Sequence, residues 1–399
     1  MSSFERFLEK AIADQDIHGA AMVAKNKSGT LNYSKSVGLQ SPLTDPSTPY
    51  SPSTIQELAS MTKLLTTIAA LQLVERGLVT LDEDVAASLP SLASQRILKG
   101  YDDYDESNGG RPLLEPRRNP ITLRQLLTHS AGAGYTFVPG SPLKRYQTKV
   151  LGRPLVQGAT IDERFDQPLL YEPGEGWAYS SSIDRAGQLV EKISGTTLEA
   201  YFQTHIFAPL GIRTGTFWPD PSLDDRRSAV SFRDAETGRA VQRPGATTLV
   251  SGTVECFGGQ GVHMSTEDYM RVLASLLHDD GALLRPDTAA LMFTPQLSRP
   301  SKRALLEAME DPSWAVGHFP LTGEYDWGLG GILVDGHSHE FRKKGALMWG
   351  GAANLTWFID REAGVCGVFG TQLYPPGDSK VNKLHEAFEK EVYELGATR

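Results

Sequence analysis

Cysteine is scarce: two residues, Cys256 and Cys366, in a chain of 399. Two thiols cannot build a disulfide framework or, on their own, a cysteine-rich zinc site. No run of about 18 apolar residues occurs, which excludes a membrane-spanning helix. The first ten residues, MSSFERFLEK, carry charge within their apolar pattern and lack the apolar core of a secretory signal. A basic surplus is absent too. Lysine and arginine number 39 against 48 aspartates and glutamates, a formal charge of −9, and no basic stretch stands out. Nucleic acid is therefore not an expected partner. A Gly-x-Ser-x-Gly elbow, a P-loop and a dinucleotide fingerprint are all missing, and no cofactor is expected. What is present is ordinary: 40% hydrophobic and 22% charged residues exclude a disordered or fibrous chain. A soluble, cytoplasmic protein is expected, with material for about two or three domains or one large one.

The ends of the chain read as mirror images. Phe4, Phe7, Leu8, Ala11 and Ile12 fall at helical spacing, and a hairpin follows, 19–25 and 30–38 around a turn at Asn26-Lys27-Ser28-Gly29. Near the C-terminus, 353–360 and 364–372 read as antiparallel strands. A last helix then aligns Val381, Leu384, Phe388 and Val392. The middle is helical in pattern over 60–77, 122–129, 181–195 and 197–207. Gly-, Pro- and charge-rich stretches at 98–120 and 138–176 read as loops. The expected fold is α/β (α+β): an antiparallel sheet flanked by helices, from 1–57 and 253–399, with a mainly helical lobe, 58–252, inserted. The catalytic cleft is expected between them.

Three local patterns carry chemistry. Ser60-Met61-Thr62-Lys63 has the Ser-x-x-Lys form, and on a helix positions i and i+3 share a face. A serine hydroxyl is a weak nucleophile until a neighbouring base takes its proton, and a lysine can be that base. The alternative for Ser60 is a helix-start serine that caps the backbone. A second match, Ser141-Pro142-Leu143-Lys144, contains a proline, follows Pro139-Gly140 and reads as loop. Tyr179 lies between the turn at Glu172-Pro173-Gly174 and the next helix, where a phenol could relay a proton. A core tyrosine with a satisfied hydroxyl is the alternative. Trp349-Gly350-Gly351-Ala352 leads into a strand; glycines there allow close backbone approach, and a strand edge can aim an N–H at a developing oxyanion. A bulge or turn explains the glycines equally well.

Together and in this order, these elements resemble the serine β-lactamase and penicillin-binding-protein superfamily, especially its class C and esterase branches. The chain is most similar to fungal lovastatin-type polyketide transesterases, in ASMTKLLTTIAALQLVERGLVTLDEDV, ITLRQLLTHSAG, ECFGGQG, WGLGGI and WGGAANLTWFID. The resemblance implies that Ser60 is acylated, that Lys63 is its base, and that Tyr179 moves protons to and from the leaving and entering oxygens. It implies an oxyanion hole from the N–H groups of Ser60 and Ala352, with Tyr135, Trp349, Gly350 and Gly351 lining the substrate. Two departures stand out. Trp349-Gly350-Gly351 replaces the Lys-Thr-Gly of β-lactamases, and Ser181 stands where they carry asparagine, both of which speak against β-lactam hydrolysis. Lys343-Lys344-Gly345 is out of register with that motif and reads as strand decoration.

The expected function is acyl transfer from a thioester or ester to a hydroxyl of a hydrophobic, polyketide-type metabolite. The partners are a small-molecule acyl donor and an alcohol acceptor, with an acyl carrier protein as one implied donor. The alternatives are an esterase using water, a β-lactamase, or an inactive binding scaffold. His337-Ser338-His339-Glu340 reads as a surface turn rather than a metal site. Cys256 reads as a buried structural thiol.

Overall fold

The computed structural model describes residues 1–43, 48–102, 110–138, 140–155, 158–243, 245 and 248–397. Ser2 and Glu5 close a capping box at the start of α1 (Ser3–Ala13), whose Phe4, Leu8 and Ala11 are buried. Phe7, expected on that face, is 36% exposed. Phe4, Leu8 and Ala11 already form the i, i+4, i+7 stripe, and position 7 falls at its edge.

The hairpin of β1 (Gly19–Asn26) and β2 (Asn32–Gly38) forms as expected. Five later strands join it: β3 (Tyr325–Trp327), β4 (Ile332–Val334), β5 (Leu347–Gly351), β6 (Leu355–Asp360) and β7 (Val365–Gly370). Their order is β2-β1-β7-β6-β5-β4-β3, with every neighbouring pair antiparallel. The two ends of the chain meet where β1 pairs with β7, Ala21 opposite Gly370 and Asn26 opposite Val365.

Side-chain alternation along β7 shows what covers each face. Cys366 lies 3.6 Å, sulfur to sulfur, from Met270 of α4 (Thr266–His278). Phe369, of opposite parity, packs on Phe388 and His385 of α5 (Ser379–Ala397). Helices thus seal both faces, and all six residues of β7 are buried. The ion pair of Arg342 with Glu389, 2.6 Å and almost fully buried, ties α5 to the segment before β5.

The helical part centres on α2 (Thr62–Glu75), buried continuously from Thr62 to Leu73. It is buried on every side, and its polar side chains Thr62, Lys63, Thr66 and Gln72 find hydrogen-bond partners there. Beside it lies α3 (Ser182–Ser194), closed by Gly195 in the left-handed conformation, φ +71°. Two stretches read as loops contain regular structure. Arg96–Asp102 pairs antiparallel with Arg111–Pro116, with a register shift between Leu98 and Gly100. Most of this two-stranded arm stands away from the core, so it carries little apolar alternation to read. Residues 103–109, between the two strands in sequence, lie outside the described residues. Within 138–176, Leu143–Arg145 and Ile161–Phe165 are helical, the latter started by a Thr160–Glu163 capping box. Among the described residues no helix is long and apolar enough to cross a membrane.

Candidate active site

The site begins with a sharp turn. The short strand Ile55–Glu57, paired with His263–Ser265, runs into Ala59, which has φ +46° although it carries a side chain. That conformation costs about 1–2 kcal/mol, and it starts the single turn Ala59–Met61 that leads into α2. No side chain caps the start of α2, so Ser60 is not a capping serine. Its Oγ is instead 3.1 Å from Lys63 Nζ, one turn along. Lys63 is 2% exposed and Ser60 half-buried, so the hydroxyl is open to solvent and the amine is not.

Lys63 Nζ also donates to the Gly259 carbonyl at 2.8 Å and to the Tyr135 hydroxyl at 3.4 Å. It lies 4.8 Å from the Tyr179 ring centroid, within cation–π range. Tyr179 is held from three sides. Its carbonyl accepts from Tyr135 N at 3.1 Å, its ring packs on His129 at 4.8 Å, and its hydroxyl accepts from Trp349 Nε1 at 3.0 Å. His129 is itself left-handed, φ +59°, and its Nδ1 lies 3.0 Å from Ser180 Oγ. Burial, and then the Lys63 charge, hold its imidazole well below the usual histidine range, so it backs Tyr179 as a neutral ring. Burial, followed by the charge of Asp184, pushes the Tyr135 phenol well above the ordinary tyrosine range.

The third expected element arrives from the sheet. An ideal Cβ on Gly351 would lie 2.3 Å from the Leu58 carbonyl oxygen and 3.5 Å from Ala59 Cβ. The end of β5 therefore packs directly against the turn that carries Ser60. Gly350 is confined in the same way by the carbonyls of Leu355 and Val316, at 2.7 and 2.8 Å. Protein backbone thus fills the space both glycines leave, and Ala352, half-buried, follows at the rim of the site. Trp349 is 4% exposed. It meets Trp314, Trp327, Phe319 and Tyr179 in an aromatic cluster, with centroids 4.8 to 6.2 Å away.

The structure therefore brings Ser60, Lys63, Tyr179, Tyr135 and the end of β5 together. Sequence reasoning passed over His129, Asp184, Trp314 and Trp327. Two of these lie in segments already singled out, LLTHSAG and WGLGGI, and periodicity gave no sign that Asp184 would be buried. Four discounted features find their places. Lys144 is exposed beside Ser141, away from this cluster. Lys343 and Lys344 are exposed in the turn before β5 rather than on a strand. His339, expected at the surface, is buried: its Nε2 bonds Thr322 at 3.0 Å and its ring packs edge-on against Tyr325. Cys256 is buried and free, its thiol pushed up to about 12 by burial. A cavity of about 790 Å³ opens beside the strand 55–57, lined by Glu57, Trp218, Arg227, Phe232 and His263. Ser60, Lys63 and Tyr179 do not line it, so the chemistry rather than the volume marks the site.

A half-buried serine with a buried lysine one turn away, on this fold, points to a class. Residues 4–390 match the family described as Beta-lactamase, and the chain belongs to that family. Within it, the chain is 38% identical to monacolin J acid methylbutanoyltransferase of Aspergillus terreus, covering 98% of this chain and 94% of that one. It is 36% identical to lovastatin esterase of Penicillium rubens, covering 96% of both. The fold matches a mutant of simvastatin synthase from Aspergillus terreus with a TM-score of 0.90 and 38% identity, over 99% of this chain and 95% of that one. The expected superfamily, its acyltransferase and esterase branch, and the antiparallel sheet with flanking helices are borne out.

Proposed function

We propose that this protein is a serine acyltransferase that carries an acyl group from a thioester or ester, through an acyl-serine, to a hydroxyl of a hydrophobic, polyketide-type metabolite. The observation that carries the proposal is the Ser60–Lys63 contact at 3.1 Å, with Tyr179 beside it under the Trp349 N–H. In the first half-reaction Ser60 Oγ bonds to the acyl carbon while its proton passes to a neutral Lys63 amine. The carbonyl oxygen takes up the charge in front of the N–H groups of Ser60 and Ala352. The carbon–sulfur or carbon–oxygen bond then breaks, and the leaving atom receives the proton by way of Tyr179. In the second half-reaction the acceptor alcohol gives its proton to the same relay and attacks the acyl-serine, which frees Ser60. We place these steps in the cleft between the sheet part, 1–57 and 253–399, and the helical lobe, 58–252, in a cytoplasmic setting.

Support for the substrate class comes from the position where β-lactamases carry a lysine. Trp349 supplies a neutral N–H to Tyr179 there, and the surrounding rings favour an apolar body over a carboxylate. The relatives named above support an alcohol acceptor in one case and water in the other. A carrier protein is one candidate bearer of the donor thioester. Intact-protein mass spectrometry after mixing with a short acyl thioester, p-nitrophenyl butyrate or nitrocefin tests the whole reading. A stable acyl adduct on the parent chain, absent in Ser60→Ala, is expected. Discharge by an added polycyclic alcohol faster than by buffer marks the transferase, and equal discharge the esterase. Nitrocefin turnover exceeding that of the ester by orders of magnitude would establish a β-lactamase instead.

A further inference from the structure

We infer that Asp184 is a positioning residue for the acylation step, fixing the Lys63 amine through Gly259 and stabilising the charge that amine acquires. The inference rests on the assignment of Ser60 and Lys63 made above. Asp184 lies in the first turn of α3, five residues after Tyr179, and is fully buried. Its Oδ1 accepts the Gly259 N–H at 2.9 Å, and the Gly259 carbonyl in turn accepts from Lys63 Nζ at 2.8 Å. That is shorter than the contacts of Lys63 with Ser60, 3.1 Å, and with Tyr135, 3.4 Å. The second carboxylate oxygen has no hydrogen-bond partner among the described residues. An ideal Cβ on Gly259 would stand 2.5 Å from that oxygen, so only glycine lets the carboxylate come this close.

A buried carboxylate with a vacant oxygen is costly unless a nearby charge compensates it. The charged and titratable groups facing it are Lys63 from α2, Arg164 from the 161–165 helix, Tyr135 from its loop, and Arg185 on α3. Arg185 is already engaged by Asp162 and Gln188, and Arg164 by the carbonyls of Leu249 and Gly158. Lys63 has no carboxylate of its own within ion-pair distance among the described residues. When Ser60 Oγ bonds to the acyl carbon, its proton moves to Nζ and a neutral amine becomes a cation out of reach of water. A carboxylate and a carbonyl fixed behind that nitrogen stabilise the cation as it forms, with nothing left to reorganise.

The test is Asp184→Asn, whose amide oxygen still accepts the Gly259 N–H, together with Gly259→Ala, which keeps the charge but displaces it. Acylation by p-nitrophenyl butyrate is followed by stopped flow and intact mass across the pH range. Both variants are expected to acylate about 30-fold more slowly, with KM within about twofold, as loss of a preorganised charge predicts. In Asp184→Asn the ascending limb of the rate profile moves to lower pH by about half a unit or more, since the protonated amine is no longer favoured by a neighbouring anion. Acylation at the parental rate in either variant, or slowed acylation with an unmoved limb in Asp184→Asn, overturns the inference. If Asp184→Asn cannot be purified folded, the rate and KM of Gly259→Ala decide it. Failure of the parent chain to acylate at Ser60 strikes the underlying assignment instead.

Discussion

Tyr179 stands between the Trp349 N–H and the Lys63 amine, and that pairing governs what single side chains do here. The Trp349 indole reaches its hydroxyl at 3.0 Å and Lys63 Nζ lies 4.8 Å from its ring. The proposed proton path through the phenol runs between these two contacts. Lys63→Ala and Tyr179→Phe should each lower kcat/KM by about 100-fold or more, in the range of general acid–base catalysis. The double variant should lose little beyond the worse single one, because groups on one proton path are not additive. Steady-state kinetics on p-nitrophenyl butyrate checks both, and strictly additive losses would separate the two residues. Trp349→Phe keeps the ring and removes only the N–H; about a tenfold fall in kcat is expected, the value of one buried hydrogen bond. An unchanged kcat in that variant would reduce Trp349 to packing.

At the scale of elements, the site exists because a strand end and a helix start are pressed together. Gly351 lets β5 lie against the Leu58 carbonyl, and backbone at 2.3 Å cannot move aside as a side-chain tip could. Gly351→Ala should therefore push β5 off the Ser60 turn. Acyl-enzyme formation is expected to slow by more than about tenfold, with a drop of several degrees in Tm. A variant that labels at the parental rate would show that the end of β5 does not frame the reaction. The Arg342–Glu389 pair ties α5 to the segment before β5 and makes no contact with Ser60, Lys63 or Tyr179. Glu389→Gln leaves a buried guanidinium without its carboxylate and should cost about 3–5 kcal/mol, read as a lower urea midpoint. A midpoint close to the parent would contradict the burial of that pair.

For the molecule as a whole, the response of stability to pH should carry the mark of Glu57, three residues before Ser60. Burial raises its carboxyl from an ordinary 4.5 to about 7, although the hydroxyl of Tyr374 lies 3.5 Å from Oε1. Between those values the folded chain holds a proton that the unfolded chain has released. The contribution to stability is therefore fully present below about pH 4.5 and is lost as pH rises through 7. Its size is up to about 3 kcal/mol, because a tenfold difference in proton affinity between folded and unfolded chain is worth about 1.4 kcal/mol. Glu57→Gln should match the parent near pH 4 and exceed it at pH 8, which urea unfolding across that range would show. Equal unfolding free energies at pH 8 would mean that Glu57 is solvated.

Much of this was legible in the sequence because it is local and periodic. The terminal hairpins are short apolar runs bounded by turn residues, the segment that becomes α2 is rich in leucine, isoleucine and alanine, and Ser60 and Lys63 are one helical turn apart, so spacing alone brings them to one face. The Tyr179 segment and the Trp349 strand could be singled out by type and order, and the family by their combination. Other features arise only when distant segments pack. Whether Trp349 stacks on a ligand or donates to Tyr179 depends on contacts across 170 residues of chain. That Gly350 and Gly351 are required by Val316 and Leu58 depends on which backbone passes over them. The 96–116 arm could not be read because a ribbon with little core beneath it has little reason to alternate. Asp184 was invisible for the same physical reason: one charge in a helix reads as solvent-facing until the fold closes over it and sets Gly259 and Lys63 in line.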